Sequence, residues 1–262
     1  MTAQSIGNLL REWRQRRRMS QLDLAFEADV SAKHLSFIET GRARPSREMI
    51  LHLAEQLEIP LRDRNPLLAA AGFAPAFAER TLADPILESA RNAIDLILAG
   101  HEPYPALAID HHWTIVAANR AVAPLFAGVD AALMEPPVNI LRLSLHPGGL
   151  APRIINLTQC RSRVLSRLRH QVQATADTVL SELLDELCRY PGSSNNPANE
   201  EDYNDVIVPL QITTDFGILS LFSTTTVFGT PRDITLSEIA IESFFPADAA
   251  SADILRHLSG VS

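Results

Sequence analysis

The stretch from Ser20 to Gly41 constrains this chain most, because it holds two short helices and a tight turn and leaves room for little else. Ser20 is a good helix N-cap, and Asp23 supplies the carboxylate of a capping-box-like pair. Leu22, Ala25 and Phe26 recur in phase over Gln21–Ala28, and Asp29-Val30-Ser31 breaks the pattern. Ser31 then caps a second run, Ala32–Thr40, which Gly41 stops. Ala25 is small enough to let the two helices approach, Val30 plugs the turn, and Leu35 and Ile38 anchor the second helix. That arrangement turns Ala32, Lys33, Ser36 and Phe37 outward, as in a helix-turn-helix whose second helix is shaped for a major groove.

The flanks read as more helix. Ser5–Arg18 places Ile6, Leu9, Leu10 and Trp13 on one face. Pro45-Ser46 opens Arg47–Leu57, with Met49, Leu53, Ala54 and Leu57 inward. Pro60 precedes a fifth helix, Leu61–Ala71, with Pro66 expected near its first position. Gly72-Phe73-Ala74-Pro75 marks a boundary, so residues 1–72 form an all-α domain of five helices. Residues 73–103 are a linker with a connecting helix at Asp84–Gly100, and residues 104–262 are a second domain. There, A-L-A-I-D-H-H-W-T-I-V-A-A-N is a strand hairpin around His111-His112, followed by a short helix that Asn119 caps. Residues 158–190 are one long helix or two, weakest at Thr175–Asp177, and 191–204 a polar, mobile loop. Strands are expected at Val206–Thr213, Ile218–Phe228 and Ile234–Phe245, with a last helix at Ala249–Leu258. A hairpin, helices, then a three-strand meander give a PAS-like α+β domain, and the chain as a whole is α+β.

Charge permits contact with nucleic acid without requiring it. The net charge is −8, but residues 1–64 carry eleven Lys and Arg against nine Asp and Glu. The rest carries twelve against twenty-two, so a mildly basic front joins an acidic body. The two cysteines, Cys160 and Cys188, lack CxxC spacing and read as buried thiols in a reducing cytoplasm, with no metal framework. The N-terminus lacks the apolar core of a secretory signal, and no stretch approaches a membrane span. No HExxH, GxSxG or Walker pattern accompanies the histidine pair, so neither catalysis nor a cofactor nor a metal is expected. Arg161, Arg163, Arg167, Arg169 and His170 read as a solvated helix face or dimer rim rather than a phosphate-binding patch.

The outward face of the second short helix carries donors for DNA. Lys33 can give protons to guanine O6 and N7, and Phe37 can pack on a thymine methyl. Gln21, Ser31 and His34, with Arg42, Arg44 and Arg47 beyond the helix, suit phosphates and the surrounding surface. The pattern S-Q-x-x-L-A…V-S…L-S-x-I-E-T-G-R-A-R-P-S resembles the Xre/Cro-type helix-turn-helix regulators over about residues 5–70. The resemblance implies that Gln21 contacts phosphate, that Ala32, Lys33 and Phe37 read bases, and that Arg14 pairs with Glu39. Asp29 stands where that family usually has a turn glycine, and tolerates left-handed backbone better than most residues.

Further on, N-I-L-R-L-S-L-H-P-G-G-L-A-P-R-I-I-N-L, F-S-T-T-T-V-F-G-T-P and E-S-F-F-P-A-D resemble the MmyB-like regulators over about residues 77–258. That resemblance implies a PAS-like domain binding a small apolar, fatty-acid-like effector. Leu107, Ile109, Trp113, Phe222, Phe244 and Phe245 are candidates for its wall, and Arg142, His146 and Arg153 for receiving a carboxylate. The expected protein is a cytoplasmic, homodimeric transcription regulator, a repressor on a two-fold operator. The competing reading is an Xre-type antitoxin or adaptor whose C-terminal domain grips a protein.

Overall fold

Four serines start the first four helices. The computed structural model describes residues 5–191, 208–229 and 231–260. Apart from Pro191, the loop expected over 191–204 lies outside them, as do the first two residues of the strand expected from Val206. Helix α1 (Ile6–Arg16) begins where Ser5 accepts from the Asn8 N–H, and α2 (Gln21–Glu27) begins with a full capping box between Ser20 and Asp23. Ser31 and Ser46 cap α3 (Ala32–Glu39) and α4 (Arg47–Gln56) through the N–H groups of His34 and Met49. The fifth helix, α5 (Leu61–Ala70), behind Pro60, has no side-chain cap. Pro66 lies inside α5 rather than at its start.

The five helices close around one core that includes Leu10, Leu24, Leu35, Ile50, Leu53 and Leu67. Asp29 takes up the left-handed turn at φ +50°, and Gly41 ends α3 at φ +74°. Gly7 is the contact point of α1 with α3, since a Cβ there would sit 2.6 Å from the carbonyl oxygens of Ile38 and Glu39. Helix α2 is phased differently from the sequence reading. Leu24, Ala25 and Ala28 are buried, whereas Leu22 is 70% and Phe26 86% exposed. The α3 and α4 partners accept the stripe with the small alanines, leaving the bulkier pair outside.

The chain divides into two units: the described residues to Thr81 with Gln173–Thr175 and the segment ending at Ser237, and the remainder. In the second unit α6 (Glu88–Gly100) leads to strands β1 (Ala106–Ile109) and β2 (Ile115–Ala118). Then come a 3-10 helix at Arg120–Phe126, α7 (Ile140–Leu145), α8 (Leu157–Thr175) and α9 (Thr178–Arg189). The break between α8 and α9 falls at the left-handed Ala176, after which Asp177 caps α9. Strands β3 (Leu210–Thr214) and β4 (Gly217–Val227) follow. The expected strand from Ile234 instead starts as a helical turn, α10 (Ile234–Ser237), because Asp233 accepts from the Thr235 and Leu236 N–H groups. Strand β5 (Ala240–Pro246) and α11 (Ala249–Leu258) complete the order.

The five strands form one antiparallel sheet, ordered β2-β1-β5-β4-β3. Period-2 alternation sends Ala106, Ala108 and Ile241 to one face, against Ile94 and Leu98 of α6. Leu107 and Ile109 point to the other, against Leu165, Leu168, Leu180 and Leu183 of α8 and α9. Asn119 does not cap the helix after it. Its side chain accepts from the Ala106 N–H and donates to the carbonyls of Leu98 and Tyr104, joining β1 to the end of α6.

Candidate functional sites

In the first unit Glu39 is the hub behind the exposed helix. Arg14 meets it in a fork, Nε to Oε1 at 2.7 Å and Nη2 to Oε2 at 2.9 Å, while Nη1 donates to the Met19 carbonyl. The Gln21 amide, assigned to phosphate from sequence, instead donates to Glu39 Oε2 at 2.7 Å, and Arg11 approaches the same oxygen at 3.4 Å. Burial alone would raise the Glu39 pKa, but the bonds from Arg14, Gln21 and Arg11 outweigh it and hold the carboxyl below its ordinary range. Three helices are thus pinned from behind by one carboxylate.

The front of α3 is left to other groups. Lys33 and Ser31 are exposed, and Ala32, His34, Ser36 and Phe37 are half-buried on the same helix. The Phe37 ring has the Lys33 ammonium 5.7 Å from its centroid and the Arg42 guanidinium at 6.0 Å. Its backbone carbonyl accepts from the Arg42 and Ala43 N–H groups, fixing the turn that carries the following arginines. Arg42, Arg44 and Arg47 are exposed. The result is an aromatic flanked by cations, with donors beside it.

In the second unit a cavity of about 420 Å³ lies between the sheet and α7–α8. Its sheet wall carries Leu107, Leu221, Ser223, Thr225, Glu242 and Phe244, and Trp113, Val122, Leu141 and Leu150 extend its apolar surface. Of the wall residues expected from sequence, Leu107, Trp113 and Phe244 line this space. Ile109 packs in the neighbouring core, and Phe222 and Phe245 stack on each other at 5.3 Å, paired across β4 and β5.

The cations expected near the H-P-G-G turn have other work. Arg142 is bidentate to Glu186 of α9, at 2.7 to 3.0 Å, and Tyr190 also bonds Glu186. His146 accepts from the Gly148 N–H and packs edge-on against Tyr190. Arg153 donates to the carbonyls of Leu125 and Ala127. The cations that line the cavity are Arg163 and Arg167 of α8, which sequence assigned to a solvated face. Both are also exposed, so they stand where the cavity meets solvent. Arg167 pairs with Glu242 at 2.8 Å and lies 4.4 Å over the Trp113 ring. Arg161 of the same cluster is buried and donates to the Cys188 carbonyl. Cys160 lines the cavity, and burial pushes its thiol up to about 11, while Cys188 is exposed. The cavity cations were hidden from sequence because Arg167 and Glu242 lie 75 residues apart.

A helix-turn-helix with a donor-rich second helix, in a chain that also holds a cavity-bearing α+β domain, defines a DNA-binding transcription regulator with a ligand-binding domain. A helix-turn-helix family model matches residues 10–63. The model for the MmyB-like transcription regulator ligand binding domain matches residues 90–258, and the chain belongs to that family. No curated protein matches the chain.

Proposed function

We propose that this regulator is a repressor that binds a two-fold operator as a homodimer and responds to an apolar, fatty-acid-like effector held in the cavity. The observation that carries this reading is the cavity itself, about 420 Å³ with a largely apolar wall and with Arg163 and Arg167 at its edge. An alkyl chain would bury apolar surface inside while an anionic head meets the two guanidiniums. The hairpin, intervening helices and three-strand meander favour a PAS-like sensor. A domain that only gripped a protein, as in an antitoxin or adaptor, would need no such volume.

On the DNA side, Lys33 and Phe37 read base edges, with Ser31, Ala32, His34 and Ser36 around them, and Arg42, Arg44 and Arg47 take phosphates. Gln21 serves Glu39 in this scheme instead of the backbone of DNA. One head of this size covers only a few base pairs, so two heads about 34 Å apart are required for an operator. The effector would act by changing the spacing between heads.

Native mass spectrometry of the purified chain, followed by operator titration with and without dodecanoic acid, tests the proposal. A dimer that retains or takes up the acid, and whose operator affinity then falls between about 5- and 150-fold, is the expected result. A monomer without adduct, or operator affinity indifferent to a bound acid, overturns it.

A further inference from the structure

The turn between β1 and β2 brings two imidazoles to the N-terminus of α9. We propose that His111, His112 and Asp177 bind a divalent transition-metal ion, with Glu238 orienting the His111 ring. One candidate ligand atom from each of the three residues lies within 4.8 Å of the others. His112 Nε2 is 2.9 Å from Asp177 Oδ2, and the two imidazole centroids are 3.8 Å apart. Asp177 divides its oxygens: Oδ1 accepts from the Val179 and Leu180 N–H groups, and Oδ2 faces His112.

The turn is held in place before any ion arrives. Gln171 donates to the His111 carbonyl and Asn139 to the His112 carbonyl, each at 2.8 Å, and Asp110 accepts from the N–H groups of His112 and Thr114. Glu238 Oε2 lies 2.9 Å from His111 Nδ1, the carboxylate–histidine arrangement that fixes the ring of a metal-bound imidazole. Ligand bonds of about 2.0–2.2 Å separate tetrahedral neighbours by about 3.3 Å, so an ion enters with shifts of a few tenths of an ångström to roughly one ångström. Two imidazoles and one carboxylate favour zinc, cobalt, nickel or copper over magnesium and calcium. The partly exposed side chains leave room for water to complete the coordination. Sequence treats the histidines as a turn pair and expects no metal, because Asp177 is 65 residues away from His112. The neighbouring Trp113 lines the cavity and donates to Gln171, so the ion would brace that wall.

The test uses the full chain after chelator treatment, titrated calorimetrically with zinc and, by visible absorption, with cobalt; magnesium serves as the comparison. One zinc per chain is expected, with cobalt d–d bands that zinc abolishes and no stoichiometric uptake of magnesium. His112→Gln and His111→Gln should each abolish stoichiometric uptake while keeping the wild-type circular dichroism. Glu238→Gln should weaken zinc about 10- to 100-fold. Absence of stoichiometric zinc in the wild type, or folded histidine variants that bind like it, overturns the proposal and leaves plain histidine–carboxylate pairs.

Discussion

Glu39 receives side chains from α1 and α2 while sitting on α3, so its charge state is tied to the packing of all three. Its folded-state pKa lies below the ordinary 4.5, and the unfolded chain therefore binds more protons in acid. The contribution is complete above about pH 4.5 and is lost as pH falls through the depressed value. Chemical denaturation from pH 7 to pH 3 should show the stability gap between wild type and Glu39→Gln shrinking below pH 4.5. Glu39→Ala, which strands the buried Arg14, should cost about 3–5 kcal/mol at pH 7. On the exposed side, Lys33→Ala should cost about 1–3 kcal/mol on the operator and relax base preference at one position. Arg42→Ala should weaken all sequences alike and flatten the salt slope. Comparing operator with random DNA across salt concentrations separates the two. Cys160, with a thiol raised to about 11, should alkylate far more slowly at pH 7.5 than the exposed Cys188, read by peptide mass spectrometry.

Helix α1 can lie on α3 only because Gly7 has no side chain. Gly7→Ala would drive a methyl into two carbonyl oxygens at 2.6 Å, and backbone there cannot yield cheaply. A loss of about 1–3 kcal/mol is expected, read as a lower melting temperature with the fold retained. Serine caps and 3.6-residue periodicity made the helices of the five-helix bundle legible, and in the second unit the weak point between α8 and α9 was legible as well. The phase of α2 was not legible. Its seven residues offer two apolar stripes, Leu22 with Phe26 and Leu24 with Ala25, and only the partner helices choose between them. The start of β5 was obscured because Ile234–Ser237 looks apolar enough for a strand, while the Asp233 side chain bends it into a helical turn. The cavity wall was half legible: Leu107, Trp113 and Phe244 line it, but alternation along β4 and β5 turns the paired Phe222 and Phe245 to the other face. Cations were sought beside the glycine turn, the locally unusual feature, whereas α8 supplies them through a pairing with β5.

The whole molecule joins a front end of mild positive charge to an acidic remainder, so counterion release contributes modestly and specific contacts must carry more of the operator affinity. Arg163→Ala should therefore leave operator binding by the effector-free chain unchanged and weaken dodecanoic acid at least several-fold, with dodecanol affected little; calorimetry on both ligands checks this. Strand β5, the last to leave the ribosome, lies between β1 and β4. Until Ala240–Pro246 has emerged, the sheet is two hairpins with no strand to join them, and the cavity lacks Glu242 and Phe244. The helical core around Leu10 and Leu67 draws its residues from between Ile6 and Ala76. That core can close while the cavity wall still lacks its β5 residues, so on the proposed function the reading head matures before the effector site.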